Sequence, residues 1–127
     1  MFVAGLIFSI LSALLHIFIF YMESFAWTGE KSRSVFGLTQ DQAENTREMA
    51  FNQGFYNLFL AIEVLFGCIL QLIGNTTGIA LILFGTGSMF AAALLLFITS
   101  PDKRSAAAKQ GAFPLLVLIC LIYALML

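Results

Sequence analysis

Four long apolar runs, separated by short polar segments, dominate the pattern of hydrophobic and polar positions along this chain. A helix needs about 20 predominantly apolar residues to cross a membrane, and each run is long enough to do so. The sequence therefore predicts four membrane-spanning helices, at residues 2–24, 49–73, 77–99 and 106–127.

Two of the connections between these runs are short. Residues 74–76 leave room only for a tight turn between the second and third helices. Pro101 cannot continue the third helix, because proline lacks a backbone N–H and clashes with the preceding turn. Residues 100–104 should therefore form a turn that leads into the fourth helix, and the four helices should alternate in direction.

The connection at residues 25–47 is the only long one. Thr39, with Gln42 three positions later, fits a capping box, which predicts a helix from Gln40 that runs into the second span without a break. We interpret Trp27, Phe25 and Phe36 as anchors at the membrane interface. A simpler interpretation is that the whole segment is only an anchored connector.

Composition agrees with a membrane protein. Of 127 residues, 61% are hydrophobic and 10% are charged, whereas a soluble domain has about 25% charged residues. The fold class is an all-α four-helix transmembrane bundle, one domain over residues 1–127, with the second helix extended on the cytoplasmic side. A net charge of −1 and the lack of a basic stripe argue against nucleic acid as a partner.

All six basic residues fall in two of the connections. Because Lys and Arg are retained on the cytoplasmic side, the sequence predicts cytoplasmic loops at residues 25–47 and 100–109. Both termini would then lie on the outer side of the cell membrane. The basic residues are Lys31, Arg33, Arg47, Lys103, Arg104 and Lys109.

Polar side chains inside the spans mark a candidate site. A lipid-facing amide has no hydrogen-bond partner, and each unsatisfied polar group in hydrocarbon costs several kcal/mol, so these side chains should point inward. On the first helix, His16 and Glu23 share one stripe with Ser9 and Ser12. We expect one pocket, open to the cytoplasmic side, to be lined by His16, Glu23, Asn52, Gln53, Tyr56, Asn57 and Gln110. Trp27 and Glu63 complete the set of candidate ligand-binding residues.

Each of these residues also has a plainer explanation. His16 could bond only to a backbone carbonyl, and Glu23 lies close enough to the interface to reach water. The amides could hold helices together without any ligand. Glu63 lies near the middle of the membrane, where a carboxyl group should be either neutral or paired.

The third helix has a surface of small residues, which predicts close helix packing rather than chemistry. Cys68 and Cys120 lie in apolar spans, and we interpret them as small apolar fillers. With one histidine and no cysteine pair, the chain has no metal-ligand spacing motif. We therefore expect neither a metal nor a cofactor.

Several of these residues fall in motifs. The motifs are His16…Glu23…Trp27, Phe36-Gly37-Leu38, Asn52-Gln53-Gly54-x-Tyr56-Asn57-x-Phe59-Leu60-Ala61 and Gln110-Gly111-x-x-Pro114. With these motifs the sequence resembles the family called domain of unknown function 1304, and the resemblance covers almost the whole chain. The resemblance implies a small, mostly bacterial four-helix membrane protein without an established activity. Glu63 lies outside the motifs.

Three functions remain open. The first is binding or transport of a small amphipathic or cationic solute, and the chain is as short as those of small multidrug exporters. All of its basic residues lie on one side, which disfavours an antiparallel dimer. A parallel homo-oligomer remains possible. The second is an intramembrane enzyme on a lipid-, quinone- or terpenoid-like substrate, with His16 as acid or base and Glu23 orienting it. The third is an accessory subunit of a membrane complex.

Overall fold

Helices make up nearly all of the computed structural model, which describes residues 1–127 and contains no strand. Four of the helices are long and apolar enough to cross a membrane, so the predicted all-α four-helix fold is confirmed. In chain order the elements are α1 (Phe2–Ser24), α2 (Glu30–Phe36), α3 (Gln40–Asn45), α4 (Arg47–Leu72), α5 (Thr77–Thr99), a 3-10 turn (Pro101–Lys103) and α6 (Arg104–Met126).

The four long helices form a closed ring in which neighbours run in opposite directions. Helix α1 packs against α4 and α6, and α5 packs against the same two helices from the opposite corner. We call the end that holds α2, α3 and the 3-10 turn the loop end. The other end, which holds both termini and the turn at Gly74, is the turn end.

The predicted bounds are correct for the first and third spans. The second and fourth spans begin earlier than predicted, at Arg47 and Arg104. Hydropathy misses these first turns because they carry charged side chains, although the backbone there is already helical. Pro101 begins the 3-10 turn that leads into α6, as its missing N–H allows.

The capping box at the start of α3 is confirmed. The Thr39 hydroxyl accepts a hydrogen bond from the Gln42 backbone N–H at 3.2 Å, and the Gln42 side chain accepts one from the Thr39 N–H at 3.0 Å. The prediction of an unbroken helix into the membrane is wrong, because the helix breaks at Thr46. Its hydroxyl donates to the Gln42 carbonyl at 2.7 Å, a back-bond that bends helices.

Glycines hold α4 and α5 together at the turn end. A Cβ atom at Gly78 would overlap the Gly67 carbonyl oxygen, and one at Gly85 would lie 2.6 Å from a methyl carbon of Val64. The small-residue packing predicted for the third helix is therefore confirmed at Gly78 and Gly85. It is wrong at Gly87, where an added Cβ would meet nothing within 4 Å.

A second close approach, between α1 and α4, sets the rotation of α4. Gly54 lies against Ser24, leaving no space for a side chain, and the Ser24 hydroxyl donates to the Phe51 carbonyl at 2.8 Å. Ala61, two turns further along, is completely buried. The face that contains Gly54 and Ala61 therefore points inward, and the face that contains Tyr56 points outward.

Candidate functional site

A cavity of about 560 Å³ lies inside the ring at the loop end. Helices α1, α4 and α5 supply most of its lining, α6 contributes Gln110, and the remaining residues come from the segments that connect the long helices. Its lining residues are His16, Glu23, Trp27, Phe36, Thr46, Met49, Ala50, Gln53, Asn57, Leu60, Met89, Ala92, Leu95, Leu96, Thr99, Lys103 and Gln110.

The mouth of the cavity includes the gap between α4 and α5. Met49 on α4 and Leu95 on α5 both line the cavity, yet they are 75% and 62% exposed. The two helices touch through glycines at the turn end, whereas at the loop end residues of both helices line the cavity. The cavity therefore borders the outer surface of the bundle between α4 and α5.

The central polar feature of the cavity is a hydrogen bond between α1 and α4. The Asn57 side-chain N–H donates to Glu23 Oε1 at 2.8 Å, and it also contacts the Gln53 carbonyl at 3.3 Å. Glu23 is only 7% exposed, and its second carboxyl oxygen has no partner in the protein. The pair therefore presents an unused acceptor on the cavity wall.

His16 presents a second acceptor. Its Nδ1 lies 2.9 Å from the Ser12 carbonyl oxygen, and because a carbonyl can only accept, Nδ1 must be the donor. In the neutral ring, Nε2 is then an acceptor, and it has no hydrogen-bond partner in the protein. His16 lines the cavity although it is 2% exposed, so its polar edge is available to a molecule inside.

The wall opposite these groups is apolar. Met89, Ala92, Leu95 and Leu96 come from one side of α5. Glu23 is the only acidic residue in the lining and Lys103 the only basic one. The Lys103 ammonium already pairs with Asp102 at 3.1 Å, so the cavity offers one polar, acceptor-rich wall and one apolar wall.

A protein family described as "Protein of unknown function (DUF1304)" matches residues 10–122. The chain belongs to the DUF1304 family. Neither a curated protein nor a solved structure matches this chain. His16, Glu23, Asn57 and Gln110 all lie within the matched residues, but the family description names no activity to compare with this cavity.

Six of the nine sequence-predicted residues line the cavity of this DUF1304 protein. The predicted stripe on α1 is confirmed as an inward face, since Ser9, Ser12, His16 and Glu23 are all buried. Ligand binding by any of these residues stays a prediction. The six that line the cavity are His16, Glu23, Trp27, Gln53, Asn57 and Gln110.

The prediction that Asn52 and Tyr56 line the same pocket is wrong. The Asn52 side chain is exposed, and its amide N–H donates to the Glu48 carbonyl of its own helix at 3.0 Å. Tyr56 is 62% exposed. Both errors have one cause, because the contact of Gly54 with α1 turns the neighbouring face of α4 outward.

Glu63 also lies outside the cavity. It is half-buried beside Gly85 of α5, and its side chain forms no hydrogen bond or salt bridge within the chain. The paired state that the sequence left open for Glu63 is therefore not formed inside a single chain.

No hydrogen bond joins Glu23 to His16. Glu23 is bound by Asn57, and His16 is oriented by the Ser12 carbonyl. The orienting role expected of Glu23 therefore has no support in this geometry. The spacing of seven residues places the two side chains on one face, but a shared face does not determine which partner each side chain meets.

Sequence reasoning missed part of the site. Thr46 lines the cavity and accepts a hydrogen bond from the Trp27 indole at 3.0 Å. Met89 and Leu96 supply the apolar wall, and nothing in a uniformly apolar span distinguishes them from lipid-facing residues. Across the whole structure, no group of three or more His, Cys, Asp or Glu side chains comes together as metal ligands would.

Proposed function

We propose that this protein binds a small amphipathic molecule in the cavity at the loop end. If the protein is a transporter, this molecule is the solute that it carries. One observation carries the proposal: the Glu23–Asn57 pair and an apolar wall of α5 line the same cavity of about 560 Å³. Pockets for small molecules are mostly apolar, with a few converging polar groups, and have volumes of about 300–1,000 Å³. This cavity fits that description.

The polar wall determines which head group suits the cavity. The unpartnered oxygen of Glu23 and Nε2 of His16 both accept hydrogen bonds, so the ligand must donate them. Alkylammonium and hydroxyl groups do so, whereas a carboxylate does not. A cation is favoured over an alcohol, because Glu23 is the only acidic residue in the lining and Lys103 is already paired.

A set of probes with one chain length tests this proposal. Purified protein in detergent would be unfolded by heat with dodecylamine, dodecanol or dodecanoate, each at the same low molar ratio to the detergent. A ligand that binds only the folded state raises the melting temperature. We expect the amine to raise it most and dodecanoate to leave it unchanged.

Glu23→Gln is the critical variant, because its amide oxygen can still accept from Asn57 while the negative charge is lost. We expect it to remove the effect of the amine and to keep that of the alcohol. Tyr56→Phe is the matched control on the outward face of α4, and it should respond like the natural protein. Equal effects of all three probes, or an unchanged amine effect in Glu23→Gln, would refute the proposal.

We also propose that the loop end faces the cytoplasm and that both termini lie outside. The support is the position of all six basic residues at the loop end. Single cysteines at Ser34 and Asn75, both exposed, would be placed in a background without Cys68 and Cys120. An impermeant thiol reagent added to intact cells should label position 75 only. Labelling of position 34 alone would show that the protein has the opposite orientation.

His16 favours a second function, an intramembrane enzyme. His16 lines the cavity, and its unpartnered Nε2 is the kind of group that can act as a general base towards a bound hydroxyl group. Membranes that contain the natural protein should then form a lipid product that is absent with His16→Gln. If the two membrane lipid profiles are identical by mass spectrometry while amine binding persists, the cavity binds without reacting.

A further inference from the structure

The outer surface of the bundle carries a second concavity, a groove of about 390 Å³ between α5 and α6 near the loop end. It shares no lining residue with the cavity described above. Small residues such as Ala107 and Gly111 form its floor, and Phe90, Phe97 and Leu115 are among the larger residues around it.

The shape of the groove follows from how closely the two helices pack. A Cβ atom at Gly111 would lie 3.0 Å from the Cβ of Ala93, so the floor is shallow and smooth. From Ala107 to Leu115 the groove extends about 12 Å along α6, at a rise of 1.5 Å per residue. One leaflet of a bilayer is about 15 Å thick, so the groove has the length of most of a leaflet.

A positive charge stands at the loop end of this groove. The Arg104 Nε–H donates to the Phe97 carbonyl at 3.0 Å, and the guanidinium carbon lies 4.9 Å from the centre of the Phe97 ring. These two contacts hold the side chain beside a residue of the groove. The two terminal nitrogens of Arg104 have no hydrogen bond, and no carboxylate pairs with it.

We infer that this groove binds an anionic phospholipid, with one acyl chain along α6 and the phosphate on Arg104. The inference rests on charge complementarity, since an apolar channel with an unpaired guanidinium at its interfacial end matches an acyl chain joined to a phosphate. The planar guanidinium can bind phosphate oxygens through two nitrogens at once. The inference is independent of the function proposed for the cavity.

Native mass spectrometry of purified protein in an equimolar mixture of dioleoyl phosphatidylglycerol and dioleoyl phosphatidylcholine tests this. The chains are the same and only the head-group charge differs. One basic residue near anionic lipid contributes about 1 kcal/mol, which corresponds to a preference of roughly fivefold for phosphatidylglycerol. Arg104→Gln should remove that preference.

Two further variants show whether charge and groove act together. Arg47→Gln removes an exposed basic residue at the same end of the bundle but outside the groove, and it should keep the preference. Ala112→Phe fills the groove while leaving Arg104 in place, and it should reduce retention of both lipids. Ala80→Phe, on an exposed position of α5 away from the groove, is its control.

Three results would overturn the inference. Equal retention of both lipids by the natural protein would mean that the charge has no part. An equal loss of preference in Arg47→Gln and Arg104→Gln would mean a general surface field instead of a site. Unchanged retention in Ala112→Phe, with a melting temperature that shows the variant is folded, would mean that no acyl chain lies in the groove.

Discussion

Helices α4 and α5 meet at one end of the molecule and separate at the other. At the turn end, Gly67 and Gly78 bring the two backbones into contact. At the loop end, Asn57 of α4 and Leu96 of α5 both line the cavity. The same pair of helices therefore supplies both a tightly packed region and a binding space.

The two ends also differ in what holds them together. The turn-end contact is one of shape, since it consists of backbone and small apolar groups. The loop end uses polar bridges between elements, from Asn57 to Glu23 and from Trp27 to Thr46. Close backbone packing and polar bridges between elements are therefore separated along the length of this bundle.

The largest expected effect comes from crowding the turn end. Gly78→Val would force α5 away from the Gly67 carbonyl, and we expect a loss of about 3 kcal/mol in the free energy of unfolding, at the upper end of overpacking costs. Gly87→Val is the matched control, because space is open there. Titration with sodium dodecyl sulfate, followed by circular dichroism, measures both. Equal losses would show that close packing does not distinguish this end.

The next effect tests the polar bridge at the loop end. Asn57→Ala removes the donor to a buried carboxyl oxygen, and an unsatisfied buried group costs about 1–3 kcal/mol. We expect a loss of about 2 kcal/mol by the same titration, and little change with Glu23→Gln, whose amide oxygen still accepts. If Asn57→Ala is as stable as the natural protein, water satisfies Glu23 and the bridge has no structural role.

A smaller effect tests the contact that connects the loop to α4. Trp27→Phe removes the indole donor to Thr46 but keeps an aromatic ring, which should cost about 1 kcal/mol, as for a typical hydrogen bond. Hydrogen exchange should rise in α3, since Thr46 joins α3 to α4. Thr46→Ser, which retains the hydroxyl, should leave exchange unchanged. Faster exchange in both variants would assign the effect to packing instead.

The smallest effect lies where the two regions meet. Glu63 is half-buried beside Gly85 and has no partner in the chain. We expect Glu63→Gln to change the free energy of unfolding by less than about 0.5 kcal/mol, as for substitutions that break no specific contact. A larger loss in bilayers, but not in detergent, would mean that a second copy of the chain supplies a partner for this carboxyl group.

The sequence predictions were most accurate where the pattern that carries them lies within a few neighbouring residues. The ends of α1 and α5 were predicted correctly because apolar runs stop abruptly there. The capping box was correct because it depends on two residues three positions apart. Helix α2 was not predicted, since its polar sequence has no apolar periodicity and only the left-handed Gly37 (φ 67°) marks its end.

The candidate site was predicted only in part, because some of its residues are marked by a local pattern and others are not. His16 and Glu23 stand out as polar residues on one face of an apolar helix, and both line the cavity. Tyr56 and Asn57 are neighbours in the same motif, yet only Asn57 points inward. A helix turns about 100° per residue, so a small rotation decides between them, and the close contact of Gly54 with Ser24 determines that rotation.

The sequence by itself therefore determined the number of long apolar helices, most of their ends and the placement of every basic residue at one end of the bundle. These properties depend on the free energy of transfer of each segment from water to an apolar phase. That free energy is set by the residues of the segment alone. The tertiary structure alone decided that Glu23 meets Asn57, that His16 leaves one nitrogen free, and that α4 and α5 separate to form the cavity. Those outcomes depend on close packing between small residues far apart in the chain, and an almost uniformly apolar helix does not reveal which of its faces will be buried.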